Sequence, residues 1–310
     1  MKRSVLAISV LIMSFALASP AVCAAAAKSA PAKPAAPAQA AAPAQAAAPA
    51  RPAAPAAQPV QRQQMQPEAA FALVSAQAEK GNVQAMLQLG GFYEQGVGVG
   101  RNYSKAFEWY QKAASAGRPE GYYNLGVCYE IGMGTAGDMA KSIQNYQKAA
   151  EMGLTQAMQK LASIYITGAG VPHNPDLGMA WLEKAAAAGN PQALNELGVV
   201  HLSGLIGQKK DEKKALAMFI RAADLGNLES MKNIAVMYKD GLGVPADPAK
   251  AYSWYLIARR GGYGGEDLVR VIGLLEGSLT AAVAERSRKD ADEWIANFVK
   301  RQAEAGAGVK

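Results

Sequence analysis

The chain of 310 residues is short of the groups that do chemistry: it has two cysteines, two histidines and 7% aromatic residues. One cysteine, Cys23, lies in the N-terminal segment, so Cys128 stands alone in the remainder and no intramolecular disulfide can staple the fold there. The two histidines, His173 and His201, are not at metal-ligand spacing, and no cysteine pair completes a site. No Gly-x-Ser-x-Gly elbow occurs. The apolar run Val5–Leu17 is shorter than the about 20 residues a membrane helix needs. An excess of basic charge is also missing from the body of the chain. Six of the 32 basic residues precede residue 69, against one of the 25 acidic ones, which leaves 26 against 24. The formal charge of +7 therefore belongs mostly to the N-terminal part and argues against phosphate-backbone binding, so no nucleic-acid partner is expected.

What is present begins with an export pattern. Lys2 and Arg3 precede the apolar run, Pro20 follows it, and Val22-Cys23-Ala24 supplies small side chains for a signal peptidase. Residues 1–24 are expected to be a cleaved signal peptide, leaving no stable membrane span and a periplasmic or secreted protein. Residues 25–67 are almost only Ala, Pro and Gln. With proline every few residues and no apolar face to bury, a disordered, partly polyproline-like linker is expected. Extended, it reaches on the order of 100 Å, at about 3.1 Å per residue.

From Glu68 the character changes, and a 36-residue step brings five units into register. A leucine column reads Leu89, Leu125, Leu161, Leu197, Ile234, and four residues on stand Tyr93, Tyr129, Tyr165, His201, Tyr238. Residues four apart share a helix face, so both columns point inward. Glycines end each first helix at Gly96, Gly132, Gly168, Gly204 and Gly241. Side-chain acceptors then open each second helix at Asn102, Asp138, Asn174, Asp211 and Asp247, with Pro175 and Pro248 at the first helical position. Trp109, Asn145, Trp181, Met218 and Trp254 follow, then Ala113, Ala149, Ala185, Ala222 and Ala258, small enough for close helix approach. The units close at Gly117, Gly153, Gly189, Gly226 and Gly262, with one residue inserted near Gly207-Gln208. Two helices cannot bury their apolar faces alone, so the units must stack. The five units are placed at 81–116, 117–152, 153–188, 189–225 and 226–262, within a repeat region of 68–262.

Stretches such as Ala85-Met-Leu-Gln-Leu-Gly-Gly-Phe-Tyr-Glu-Gln-Gly96 and Lys105-Ala-Phe-Glu-Trp-Tyr-Gln-Lys-Ala-Ala114 resemble Sel-one-like repeats, a branch of the tetratricopeptide superfamily. The resemblance implies an all-α, right-handed α-solenoid of about five helix-turn-helix repeats. Residues 263–310 depart from the repeat: a short helix over Leu268–Leu275 and a long one to about Gln302, with Trp294, Ile295, Phe298 and Val299 on its apolar side, are expected to cap the array. The fourth unit departs most, with His201 for tyrosine, Met218 for tryptophan and a longer loop.

The remaining candidates for chemistry have plain structural readings. Cys128 falls in the apolar column of Phe92, Ile164, Val200 and Met237, which predicts a buried, inert thiol. His173 lies in a loop and His201 in a packed helix column. Gly132-Met-Gly134-Thr-Ala-Gly137 spells the dinucleotide fingerprint, but between two helices instead of a strand and a helix, so no nucleotide or other cofactor is expected. Tryptophans and tyrosines at helical spacing read as core.

The resemblance also implies a concave face, built from the first helices, that carries peptide ligands. Its candidate residues are Gln88, Asn124, Lys160, Glu196 and Asn233, just before the leucine column, with Tyr123, Glu130, Gln159, Asn195, Lys232 and Lys239 nearby. Amide side chains there can bond a peptide backbone through donor and acceptor together. The function expected is an exported protein–protein interaction scaffold or regulator, not an enzyme. For such proteins the resemblance implies envelope enzymes, sensor kinases or host proteins as partners. Two rival readings are a structural envelope element threaded through peptidoglycan by its linker, and a secreted hydrolase of β-lactams. The relatives linked to the latter resemble cysteine-rich arrays, which this chain is not.

Overall fold

The computed structural model describes residues 66–307; the expected signal segment and nearly all of the Ala/Pro linker lie outside the described residues. Among the described residues there are thirteen helices and no strand. A leading helix α1 (Pro67–Glu79) precedes five pairs: α2 (Val83–Gln95) with α3 (Tyr103–Ser115), α4 (Pro119–Ile131) with α5 (Met139–Glu151), α6 (Thr155–Thr167) with α7 (Pro175–Ala187), α8 (Pro191–Ser203) with α9 (Glu212–Asp224), and α10 (Leu228–Asp240) with α11 (Pro248–Arg260). Then come α12 (Glu266–Ser278) and the long α13 (Ala281–Ala307). Each pair packs tightly on itself, and each second helix packs on the first helix of the next pair, which makes the chain an α-solenoid.

The local chemistry explains the uniform helices of 13 residues. All five second helices start on an Asn or Asp whose side chain accepts from the amide three residues on: Lys105, Lys141, Leu177, Lys214 and Lys250. All five first helices stop on a glycine in the left-handed region, with φ between +66° and +78°. Each pair is therefore a module punctuated at both ends, and its length repeats because its stops repeat.

The leucine column is buried throughout, from Leu89 and Leu161 at 0% exposure to Leu125 at 7%, and the alanine column is fully buried. The aromatic columns are less enclosed than a core reading implies. Trp109, Trp181, Trp254 and Tyr93 are half-buried. One ring face lies on the core, while lysines cover others, as with Lys112 over Trp109 (3.8 Å) and Lys184 over Trp181 (4.2 Å). A flat ring at the rim of a narrow helix layer cannot be enclosed on both sides, and a cation is the favourable cover.

The ends hold two findings. Helix α1 stands where a preceding second helix would, with Ala78 buried and Phe71 edge-on to Tyr93 (5.5 Å, 86°). At the other end α12 and α13 both pack on α11 and cap the array. Trp294 meets Trp254 at 5.4 Å and stacks on Phe298 at 5.3 Å, whereas Val299, expected on the apolar side, is 59% exposed. The inserted residue of the fourth unit puts Ile206 at φ +55°, the one non-glycine residue among those described that takes positive φ. No helix among the described residues is long and apolar enough to cross a membrane.

Candidate protein-binding face

The first helices α2, α4, α6, α8 and α10 lie side by side, and polar side chains cross from each to the next at separations near one repeat. Arg118 Nη2 donates to Gln84 Oε1 (3.1 Å), Asn190 Nδ2 to Thr155 Oγ1 (3.2 Å), and Asn227 Nδ2 to Gln192 Oε1 (3.1 Å). This layer carries all eleven candidate residues, and the structure divides them by what each is already bonded to.

Three are taken up inside. Gln159 on α6 is 6% exposed and donates its amide to Glu196 Oε1 on α8 (2.7 Å). Glu196 is wholly buried, also accepts from Gln192 (3.2 Å), and its second oxygen, Oε2, has no partner. Burial pushes its carboxyl up to about 7, against the pull of the two amide donors. Asn195 is 1% exposed and its Oδ1 accepts from Ser230 Oγ (2.8 Å) and from Asn233 Nδ2 (3.0 Å), both on α10. These amides and hydroxyls fasten units three, four and five to one another.

A second group forms one charged cluster. Tyr146 on α5 donates to Glu130 Oε2 (2.7 Å), Lys160 on α6 reaches Glu130 Oε1 (2.9 Å), and the Tyr123 ring tilts against Tyr146 at 5.4 Å. Burial first, and the Glu130 charge second, raise the Tyr123 hydroxyl above its ordinary range. Near the C-terminal end of the face, Lys232 pairs with Glu229 and lies 5.7 Å from the Tyr263 ring centre, and Lys239 pairs with Asp240. Gln88 is exposed and Asn124 half-buried, and neither side chain is in a hydrogen bond among the described residues.

Sequence reasoning missed Glu94, Tyr110, Gln192, Asn227 and Ser230. Tyr110 donates to Glu94 Oε2 at 2.7 Å, the same bond as Tyr146 to Glu130 one unit later. The signal was visible: both residues recur after 36 positions, as Glu130 and Tyr146.

Cys128 is buried, and burial, with Glu94 adding to it, pushes its thiol up to about 12, where it is inert at neutral pH. His201 is 4% exposed and burial, followed by the Lys214 charge, holds its imidazole below the ordinary value, while His173 is exposed in a loop. Among the described residues no group of His, Cys, Asp and Glu is arranged to hold a metal ion.

The Sel1 repeat family model matches residues 83–117, 119–154, 155–190, 191–227 and 228–263. Among solved structures, a Sel1 repeat protein from Oxalobacter formigenes shares 27% identity over 72% of this chain and 99% of its own, with a TM-score of 0.58. A protective antigen of uropathogenic Escherichia coli with an SLR fold shares 23% identity over 79% of this chain and 60% of its own, TM-score 0.45. The immunity protein Pa5087 of Pseudomonas aeruginosa shares 19% over 68% and 83%, TM-score 0.42. No functionally curated protein matches the chain.

Proposed function

The chain belongs to the Sel1 repeat family, and from that premise we propose that it is an exported scaffold that holds a protein or peptide partner on the face of its first helices. Proteins of this family are generally protein–protein interaction scaffolds. The supporting observation is the uneven use of polar groups along that face. In units three to five the buried candidates Gln159, Asn195 and Glu196 are consumed in holding units together. Toward the N-terminal end Gln88 and Asn124 keep their donors and acceptors for an outside molecule. Tyr123, Glu130, Lys160, Lys232, Asn233 and Lys239 complete the contact surface, with their own internal bonds setting its shape. The export pattern of residues 1–24 and the Ala/Pro linker support a place in the cell envelope or outside it.

In-cell crosslinking and mass spectrometry of the tagged protein tests this, with a Gln88→Ala/Asn124→Ala double variant as control. Both substitutions are expected to leave the melting temperature unchanged. Capture of one envelope or secreted protein by the native chain and its loss in the control is the expected result. Equal capture of bystanders or peptidoglycan fragments by both would transfer the case to the spacer reading. Sequencing of the exported protein should find a new N-terminus at Ala25; an intact Met1 in the envelope fraction would refute the cleaved signal.

A further inference from the structure

Units one and two are built alike around a carboxylate, and only one of the two carboxylates is neutralised by the chain. In unit two, Glu130 accepts from Tyr146 Oη at 2.7 Å and pairs with Lys160 Nζ at 2.9 Å, the lysine being supplied by the next first helix, α6. In unit one, Glu94 accepts from Tyr110 Oη at the same 2.7 Å. The position that corresponds to Lys160, one 36-residue step earlier, is Asn124 on α4, which carries no charge. Among the described residues no cation pairs with Glu94. The nearby Lys105 lies over the Tyr93 ring at 5.1 Å instead.

The position of Glu94 favours a cation beside it. It is half-buried, it stands in the last turn of α2 where the helix dipole is negative, and its charge adds to burial, the larger cause, in raising both the Tyr110 hydroxyl and the Cys128 thiol. A cation placed beside it therefore gains more than one placed beside an exposed carboxylate. The chain itself shows the geometry that satisfies such a site, one unit further on.

We propose that Glu94, held by Tyr110 and with the uncharged Asn124 at the repeat position of Lys160, is the anchor for a lysine or arginine side chain of the partner, which reaches Glu94 as Lys160 of α6 reaches Glu130 of α4. The inference rests on the scaffold reading and names the partner's chemistry: a segment with a basic anchor, its neighbouring backbone within reach of the Gln88 and Asn124 amides. An acidic segment would meet Glu94 as a like charge and be rejected.

The test is selection of random peptides displayed on phage against the folded native chain, followed by affinity measurement with the selected peptides. The expected result is a basic residue at one fixed position, whose replacement by alanine weakens binding at least tenfold. Glu94→Gln keeps an acceptor for Tyr110 and so keeps the fold, and it should weaken binding by a similar factor. Asn124→Lys, which supplies the cation from within, should block it. Lys160→Ala frees Glu130 and should create a second binding site, read as a doubled stoichiometry. Selected peptides that show no basic preference, or bind Glu94→Gln as well as the native chain, would overturn the anchor while leaving the scaffold reading intact. A library that yields no binder of any charge would overturn both.

Discussion

Gly126 sits one residue after Leu125, and an added Cβ would lie 2.6 Å from two carbons of the Tyr146 ring. That ring is fully buried and fixed by its bond to Glu130, so it cannot swing aside. Gly126→Ala should therefore cost about 1–3 kcal/mol through overpacking, despite alanine's better helix propensity. Tyr146→Leu alone should cost about 2–4 kcal/mol, from lost ring burial and the severed hydrogen bond. The two together recreate a pair the chain already uses, because Ala162 and Leu182 occupy the same positions in unit three and pack in one cluster. The double variant should then be more stable than the sum of the singles by about 1–2 kcal/mol, the signature of a shared contact. Gly91→Ala is the control: nothing lies within 4 Å of its added Cβ, and it should gain about 0.5–1 kcal/mol from propensity. Urea unfolding followed by circular dichroism measures all four. Additivity of the two changes within about 0.5 kcal/mol would refute the view that ring and glycine are one packing unit.

Leu161→Ala should cost about 2–5 kcal/mol, since that side chain is fully buried in the middle unit, whereas Gln88→Ala should leave the melting temperature unchanged. Equal melting temperatures for the two would break the register. Glu196 has its carboxyl raised from 4.5 to about 7, so the folded chain holds a proton the unfolded one has lost. Stability should fall as pH rises from about 4.5 through 7, by about 3 kcal/mol, and then level off. In Glu196→Gln this part of the slope should be absent, and an unchanged pH profile of the melting temperature would count against the buried carboxyl. Cys128 should resist maleimide in the native state at pH 8 and react once unfolded in urea; rapid native labelling would show that it is not enclosed.

What could be read from sequence was whatever repeats at a fixed step and has a single use. The leucine and alanine columns, the Asn/Asp caps and the closing glycines each answer one physical need in every unit, so five copies expose them. Helix α1 was not legible for the opposite reason. It occurs once, has no side-chain cap at Gln66, and its apolar residues mark no clear stripe; its packing against α2 holds it in place. The polar positions were misjudged in kind. Gln159, Asn195 and Glu196 read as a peptide-facing surface because amides and carboxylates usually face water. Their burial depends on which residue stands 35 to 38 positions away, as Ser230 and Asn233 do for Asn195.

That dependence ties the binding proposal to the fold. In a solenoid the units contact only their neighbours, and here both the packing of each second helix on the next first helix and the polar side chains of the first helices join one unit to the next. A polar side chain there can fasten the next unit or meet an outside molecule, and its neighbour one repeat on decides which. Lys160 turns Glu130 into a joint between units. Ser230 and Asn233 do the same for Asn195. Asn124, uncharged and shorter than lysine, brings no cation to Glu94, whose Tyr110 bond keeps it in position. On the proposed reading, units one and two supply the groups on which a partner is recognised, while the buried amides of units three to five are taken up in joining those units to one another. On that reading Asn124→Lys and Lys160→Ala should exchange the two roles between Glu94 and Glu130, the first closing the site in unit one and the second opening one in unit two.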